Sequence, residues 1–187
     1  MLFRSVKYLG INFDRGLKVK THCAKLSSST KALFNKLGRL ARTQWGLKYA
    51  MISMIYRGVF VPKVTYAAAG WSDLCTKRDI RVLRAAQRKA LISVTNAYRT
   101  ASFESLCVVA GATPVDILLK KYATRYHARK ERVASIGNIE IPAGTERKIA
   151  LRKIQDEATN MWQTEWNSSN KGRTTFAFFD EIGRAHV

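Results

Sequence analysis

The feature that most constrains the fold is a helical spacing of apolar side chains between Asp79 and about Thr95. Apolar residues recur there every three or four positions, which aligns them along one side of an α-helix. Basic residues at i, i+4, i+7 and i+11 occupy a different side of the same helix. The apolar set is Ile80, Leu83, Ala90, Leu91 and Val94, and the basic set is Lys77, Arg81, Arg84 and Arg88. The segment is therefore predicted to be an amphipathic helix with a basic face.

Similar spacing predicts helices before and after this one. A short helix is expected over 103–110, and Thr113 is expected to cap the next helix, with Pro114 in its first turn. The last helix is expected from about Glu146 to Trp166, after a loop from Gly137 to Gly144. The predicted inward residues are Leu26, Thr30, Leu33, Leu37 and Leu40; Ile52, Ile55 and Val59; Val115, Leu118, Leu119, Tyr122 and Tyr126; and Leu151, Ile154, Ala158, Met161 and Trp162.

The N-terminus has a different pattern, which is typical of strands. Residues Val6 to Asp14 are rich in β-forming side chains, and Asp14-Arg15-Gly16 is a turn signal. The predicted fold class is therefore mainly α, with a short N-terminal β-hairpin followed by a bundle of about five helices.

The charge distribution points to a polyanionic partner. Residues 1–135 contain 26 Lys and Arg but six Asp and Glu, whereas residues 136–187 contain seven of each. Charges of one sign repel one another at this density, which costs stability. The basic residues are interleaved with apolar residues, so they belong to folded elements. Nucleic acid is the usual reason for such a bias. In addition, Tyr98 and Arg99 follow the basic helix, where the ring could stack on a base or pack as a core anchor.

The sequence offers no recognisable catalytic or metal site. Cys23, Cys75 and Cys107 lack the spacing of zinc ligands, and their odd number argues against a disulfide framework and for a reducing compartment. The six acidic residues of the basic region are scattered singly, whereas two-metal phosphoryl transfer needs clustered carboxylates. No apolar run reaches membrane-spanning length, since Pro62 and Lys63 interrupt the longest.

Several segments follow one another along the chain in a recognisable order. They are Lys7-Tyr8-Leu9-Gly10-Ile11 with Phe13-Asp14, Leu17, Lys18 and His22; Trp45-Gly46-Leu47; Ile55-Tyr56-Arg57-Gly58-Val59 with Pro62 and Tyr66-Ala67; Leu83 with Gln87-Arg88-Lys89-Ala90-Leu91 and Val94-Thr95-Asn96-Ala97-Tyr98-Arg99-Thr100; Ala110-Gly111 with Pro114; and Trp162-Gln163 with Trp166, Ser169 and Lys171-Gly172-Arg173-Thr174. Together they resemble the region after the polymerase palm in non-LTR (LINE-type) retrotransposon reverse transcriptases. The resemblance covers roughly residues 5–180, and its most specific part is the run from Leu83 to Thr100 followed by Ala110-Gly111 and Pro114.

The resemblance implies a role in holding the RNA template and DNA primer duplex. Residues 1–20 would be a primer-grip-like hairpin, 21–135 a basic helical thumb-like domain, and 136–180 a connector with one helix. The catalytic palm of such proteins lies upstream, so this chain alone is expected to bind no cofactor and catalyse nothing. The palm, which would hold the divalent metal, would be a partner of this chain. The resemblance also implies that the protein is located inside the cell, in the nucleus and cytoplasm.

Ten residues are expected to contact nucleic acid, because they belong to the predicted hairpin, the basic helix or the turn after it. They are Lys7, Tyr8, Gly10, Lys77, Arg81, Arg84, Arg88, Lys89, Tyr98 and Arg99.

The last seven residues, 181–187, are set apart from the fold. Their back-translation contains AGATCGGAAGAGC, which looks like a common sequencing-library adapter, so the segment is interpreted as a translated artefact at the end of a fragment.

The alternative to a polymerase fragment is a stand-alone basic helical nucleic-acid-binding or interaction protein derived from such an element. Nucleotide sequence upstream of Met1 would discriminate the two, because an in-frame palm belongs to the first.

Overall fold

A computed structural model describes residues 5–40 and 49–182 of the chain. The described part is mainly helical and begins with an antiparallel hairpin, which confirms the predicted fold class. Three predictions concern residues that the structure does not describe, namely the Trp45-Gly46-Leu47 segment, residues 183–187 and the Leu40 side chain. The division into three parts stays a prediction, although the expected boundary after residue 135 falls inside a strand.

The elements follow one another in the order hairpin, helices, second hairpin and final helices. They are β1 (Ser5–Tyr8), β2 (Ile11–Asp14), α1 (Lys20–Leu40), α2 (Tyr49–Ile55), a π-helical turn (Tyr56–Phe60), α3 (Val61–Thr65), two 3₁₀ turns (Ala68–Gly70 and Ser72–Leu74), α4 (Lys77–Thr95), α5 (Phe103–Ala110), α6 (Val115–Arg129), β3 (Ala134–Ile136), β4 (Ile139–Ile141), α7 (Arg147–Ser168) and α8 (Arg173–Phe176).

Helices α1 and α4 form a parallel pair at the centre of the bundle. Near their N-terminal ends, the Sγ atoms of Cys23 and Cys75 lie 3.8 Å apart as free thiols. Near their C-terminal ends, a Cβ added at Gly38 would lie 3.7 Å from the Ser93 Oγ. A methyl group would therefore fit at Gly38 in ordinary van der Waals contact with α4, at the end where Phe34 is fully buried.

The apolar face predicted for α4 is confirmed. Leu83, Ala90, Leu91 and Val94 are buried, and Ile80 packs against the core from a partly exposed position. The helix begins two residues before Asp79, because Thr76 and Asp79 form a reciprocal capping box.

A buried glutamine joins three elements at the centre of the fold. The Gln87 side chain is fully buried, and its Nε2 donates to the Tyr56 Oη and to the Thr113 carbonyl, both at 2.8 Å. Its Oε1 accepts from the Val115 backbone N–H at 2.7 Å. The Gln87 carboxamide therefore connects α4 to the π-helical turn and to the start of α6.

This network corrects the predicted start of α6. Thr113 was expected to cap the helix through its hydroxyl, but Pro114 is the N-cap residue and no side chain caps from that position. Gln87 supplies the missing acceptor from another helix instead. A cap that comes from a distant residue leaves no local pattern in the sequence.

The predicted inward face of residues 49–65 is wrong at Val59. Val59 is 42% exposed, whereas Phe60 is buried and its ring stacks on Tyr56 with centroids 5.0 Å apart. The π-helical turn over Tyr56–Phe60 inserts one extra residue per turn, which moves the following side chains around the axis. Ile52, which precedes the turn, is buried as predicted.

The interval from Gly137 to Gly144 is also not a plain loop. Two short strands, β3 and β4, pair antiparallel around a turn at Gly137 and Asn138. Gly137 has φ +55, and an added Cβ would collide with the Glu157 carboxylate, which accepts from the Asn138 N–H at 3.0 Å. Strands of three residues are too short for alternation of polar and apolar side chains to reveal them.

The inward residues predicted for α6 and α7 are largely confirmed. Val115, Leu118, Leu119, Ile154, Ala158 and Trp162 are buried, whereas Tyr122, Leu151 and Met161 are half-buried and Tyr126 is exposed. After α7 the chain turns at Gly172 and packs back, so that the Phe179 carbonyl accepts from the Trp166 Nε1 at 2.8 Å.

Replacing Gln87 with Met should destabilise the protein by about 3 kcal/mol, because the Tyr56 hydroxyl, the Thr113 carbonyl and the Val115 N–H lose their buried partner. Urea unfolding followed by circular dichroism measures the change. Gln155→Met on the exposed face of α7 is the matched control and should change stability by less than about 0.5 kcal/mol. Equal effects of the two substitutions would show that the network contributes nothing.

Candidate nucleic-acid interface

A cleft opens beside the last described turn of α1 and the end of α4. Its volume is about 280 Å³, and the described residues that line it include three cations and no Asp or Glu. The cations are Arg39, Lys89 and Arg99, and amide and hydroxyl side chains also line the cleft. The described lining is Phe34, Asn35, Gly38, Arg39, Lys89, Ile92, Ser93, Asn96, Ala97 and Arg99.

The end of α4 helps to explain why these cations gather there. The parallel packing brings the C-terminal end of α4, which carries a partial charge of about −0.5, beside the last described turn of α1. That helix end attracts the cationic side chains and on its own would disfavour a phosphate. Three full positive charges exceed such a half-charge, so the cleft remains attractive to anions.

The turn after α4 places Ala97 and Arg99 in the lining of this cleft, with Tyr98 between them in the chain. Asn96 ends α4 with φ +52, in the left-handed region that Asn tolerates better than most residues. The Arg88 guanidinium then donates to the carbonyls of Arg99 and Ala101, the latter at 2.7 Å. Tyr98 is 87% exposed, so it is not a core anchor, and its ring is free to stack.

Arg84 is held by acidic side chains inside the protein. Its Nε and Nη2 make a bidentate pair with Asp116 at 3.0 and 2.7 Å, and Nη2 also lies 2.6 Å from Glu165 Oε1. The guanidinium also lies over the Phe103 ring, 5.4 Å from its centroid. Burial raises the pKa of Glu165 above its usual range, and Arg84 acts in the opposite direction. Arg84 therefore joins α4, α6 and α7.

The first half of α4 carries the more exposed cations. Lys77 and Arg81 are exposed and line a cleft of about 620 Å³ together with Lys120. Asp73, Asp116 and the paired Arg84 line it too, so its charge is more balanced than that of the cleft at the other end.

The hairpin lies at the N-terminal end of the α1–α4 pair. Lys7, Tyr8 and Gly10 are exposed, and Gly10, with φ +87, approaches the Tyr66 ring so closely that an added Cβ would lie 3.3 Å from it. On the inner side, Asp14 Oδ2 accepts from the Thr21 N–H at 2.8 Å, which fixes the hairpin to the start of α1.

The ten predicted residues therefore do not form one patch. Lys89, Tyr98 and Arg99 lie together at one end, and the hairpin residues lie at the other. Arg84 and Arg88 are engaged within the protein. Arg39 completes the cleft although it was not predicted, and its position away from the apolar face of α1 was the sequence signal that could have found it.

Within the described parts of the chain, no three His, Cys, Asp or Glu side chains are grouped so that they could hold a metal ion. None of the helices in those parts is long and apolar enough to cross a membrane.

The chain is similar to proteins encoded by insect retrotransposons. It is 39% identical over 179 residues to a retrovirus-related Pol polyprotein from type-1 retrotransposable element R1 4 of Nasonia vitripennis. It is 30% identical over 181 residues to the corresponding R1 2 protein of that species, and 28% identical over 184 residues to an R1 Pol polyprotein of Bradysia coprophila. These alignments cover 94%, 94% and 95% of this chain.

The homologous regions are parts of longer proteins. The chain spans 45%, 44% and 18% of the lengths of these three relatives. No family model and no solved structure matches the chain. The homologues are thus Pol polyproteins of R1 non-LTR retrotransposons, which supports the resemblance found in the sequence.

Replacing Arg84 with Gln should destabilise the fold by about 1–3 kcal/mol at neutral pH, because Asp116 and Glu165 lose their counter-ion. Removing the cation should raise the pKa of Glu165 further. A Glu whose pKa is higher in the folded state than in the unfolded state, where it is about 4.3, contributes its full stability at pH values below 4.3. That contribution is lost as the pH rises through the folded-state pKa.

The difference between Arg84→Gln and the unchanged protein should therefore be largest near pH 7 and shrink below about pH 4. Urea unfolding across this pH range measures it. Arg81→Gln, on the exposed side of the same helix, is the control and should be nearly silent. A loss that does not depend on pH would contradict the ion-pair role.

Proposed function

We propose that this chain is the part of an R1-type retrotransposon RNA-directed DNA polymerase that grips the RNA template and DNA primer. The observation that carries the proposal is the cleft beside the last described turn of α1 and the end of α4, whose described lining includes three cations and no carboxylate. Similarity to R1 Pol polyproteins supplies the biological context.

The grip would act on the phosphate backbone. Arg39, Lys89 and Arg99 would pair with phosphates, and the exposed Tyr98 ring would pack on a sugar or a terminal base. Contacts of this kind fix register and orientation on a duplex but carry no sequence information. Such a grip suits a polymerase, which must move along any sequence.

The length of α4 fits a short run of backbone. Lys77 and Lys89 are separated by twelve residues, or about 18 Å at 1.5 Å per residue. Phosphates along one strand recur about every 3.4 Å, so this interval spans about five of them. Arg81 lies between the two lysines on the exposed side of the helix.

The hairpin would support the primer as a primer grip. Lys7 and Tyr8 are exposed near its turn, and Gly10 lets the turn sit against the Tyr66 ring. Chemistry would belong to the palm of the same polyprotein, whose carboxylates would hold the divalent metal. This chain would contribute positioning, inside the cell where the element is copied.

Binding of a labelled RNA–DNA hybrid should weaken steeply with salt, because each phosphate contact releases counterions. With about five contacts, log K should fall against log[salt] with a slope near −4 to −5. Changing Arg39, Lys89 and Arg99 together to Gln should flatten the slope by up to about 3, since each contact contributes about 0.9. Fluorescence anisotropy over a salt series measures both.

The matched control removes the same charge from a distant surface. Lys148, Arg152 and Lys153 are exposed on α7, and changing all three to Gln should alter the slope far less. A slope shallower than about −1 for the unchanged protein, or an equal effect of the two triple variants, would refute the proposed grip.

The purified chain should incorporate no nucleotide on a primed RNA template with Mg²⁺ or Mn²⁺, because two-metal transfer requires a carboxylate cluster. Primer extension with radiolabelled nucleotides measures this. Reproducible incorporation would contradict the assignment of chemistry to the palm.

A further inference from the structure

A second basic cleft lies between the C-terminal half of α6 and the 3₁₀ turn Ala68–Gly70. Its volume is about 480 Å³, within the roughly 300–1,000 Å³ of ligand-sized clefts. Of the described residues, three arginines, two tyrosines and one histidine line it, and no Asp or Glu does. This described lining is Thr65, Ala67, Ala68, Ala69, Gly70, Tyr122, Arg125, Tyr126, His127, Arg129 and Arg132.

Among the described residues, the arginines of this cleft have no acidic partner. The ion pairs there involve Arg84 and Arg152, and none involves Arg125, Arg129 or Arg132. Arg129 and Arg132 are exposed, so their guanidinium groups are accessible to a ligand.

The nearest acid along the chain lies outside this cleft. Glu131 lines the adjacent cleft, together with Arg125 and Arg129. Among the described residues, an incoming anion would therefore face three guanidinium groups and no carboxylate on the cleft wall.

Aromatic faces accompany the cations. Tyr126 is 49% exposed and meets His127 edge-on, with ring centroids 5.6 Å apart. Tyr122 lies under the Arg125 guanidinium, 5.7 Å from it. The opposite wall is made of small residues, and a Cβ added at Gly70 would meet no heavy atom within 4 Å. The cleft thus has room for a flat ring beside a phosphate.

From this combination we infer that the cleft is a second, separate site for single-stranded nucleic acid. Arg125, Arg129 and Arg132 bind backbone phosphates, and Tyr126 stacks on an unpaired base. Base–aromatic stacking next to a cationic groove is the usual way in which proteins hold single strands. A duplex would not use the ring, because its bases already stack on one another. This site goes beyond the proposed duplex grip.

Tyr126→Ala provides the first test, because it leaves every charge in place. The probes are labelled oligo(dT) and oligo(U) of about ten nucleotides, within the 4–16 that typical single-strand sites cover. The substitution should weaken binding of at least one probe by about 5- to 150-fold, the range expected for one stacked base. Tyr49→Ala, which removes a ring of similar exposure (50%) that is not among the residues lining either cleft, should leave binding of both probes unchanged.

Gly70→Glu provides the second test, because it adds a carboxylate to the cleft wall without removing an arginine. It should weaken single-strand binding by at least about tenfold. The control is Gly58→Glu, at another glycine where an added Cβ meets nothing within 4 Å. Thermal melting of all four variants verifies that each is folded.

The hybrid duplex probe is measured on the same variants, so that the two proposals can fail separately. Single-strand binding that is lost in Tyr126→Ala and Gly70→Glu, with hybrid binding retained, supports the second site. Unchanged single-strand binding in both variants overturns it, as does a parallel loss of hybrid binding. Failure of the Arg39, Lys89 and Arg99 variant to weaken hybrid binding would overturn only the duplex grip.

Discussion

The buried carboxamide of Gln87 is the interaction on which the arrangement of the helices depends. It is fully buried, and it satisfies a tyrosine hydroxyl, a carbonyl and a helix-starting N–H at once. Apolar packing alone would allow α4 to slide or rotate against its neighbours. Directional bonds in a low-dielectric interior allow one arrangement, because any other leaves polar groups unpaired. These hydrogen bonds therefore fix the register of α4 against the π-helical turn and α6. The register in turn determines where both ends of α4 lie.

The predictable elements are those whose sequence pattern lies within one short segment of the chain. The apolar face of α4 and the β-formers of the hairpin are visible in short windows of sequence. The cap on α6, the counter-ions of Arg84 and the π-helical shift that buries Phe60 depend on residues elsewhere in the chain. Asp116, for example, is 32 residues from Arg84. Periodicity shows which side of a helix is basic, but it does not show which of those cations the protein itself neutralises.

The basic face of this protein is therefore partly structural. Arg84 and Arg88 look equivalent to Arg81 in the sequence, yet one joins three helices and the other holds the turn that displays Tyr98. Other cations line two clefts on different helices, and the cleft beside α6 also contains the exposed Tyr126 ring. Part of the charge excess thus maintains the shape of the surface, and part remains available to a ligand.

The parallel direction of α1 and α4 has a consequence for how the protein folds. Parallel neighbours cannot be joined by a tight turn, so the chain must travel back along the pair before α4 begins. Cys23 and Cys75, which meet at one end, are 52 residues apart. Closing a loop of that length costs conformational entropy, which is offset when later contacts form. The cost grows slowly with loop length, by about 0.6 kcal/mol for each doubling. The α4–α5–α6 segment, whose contacts are local in sequence, can form without that closure. Low contact order therefore favours formation of the α4–α5–α6 segment before α1 packs against it.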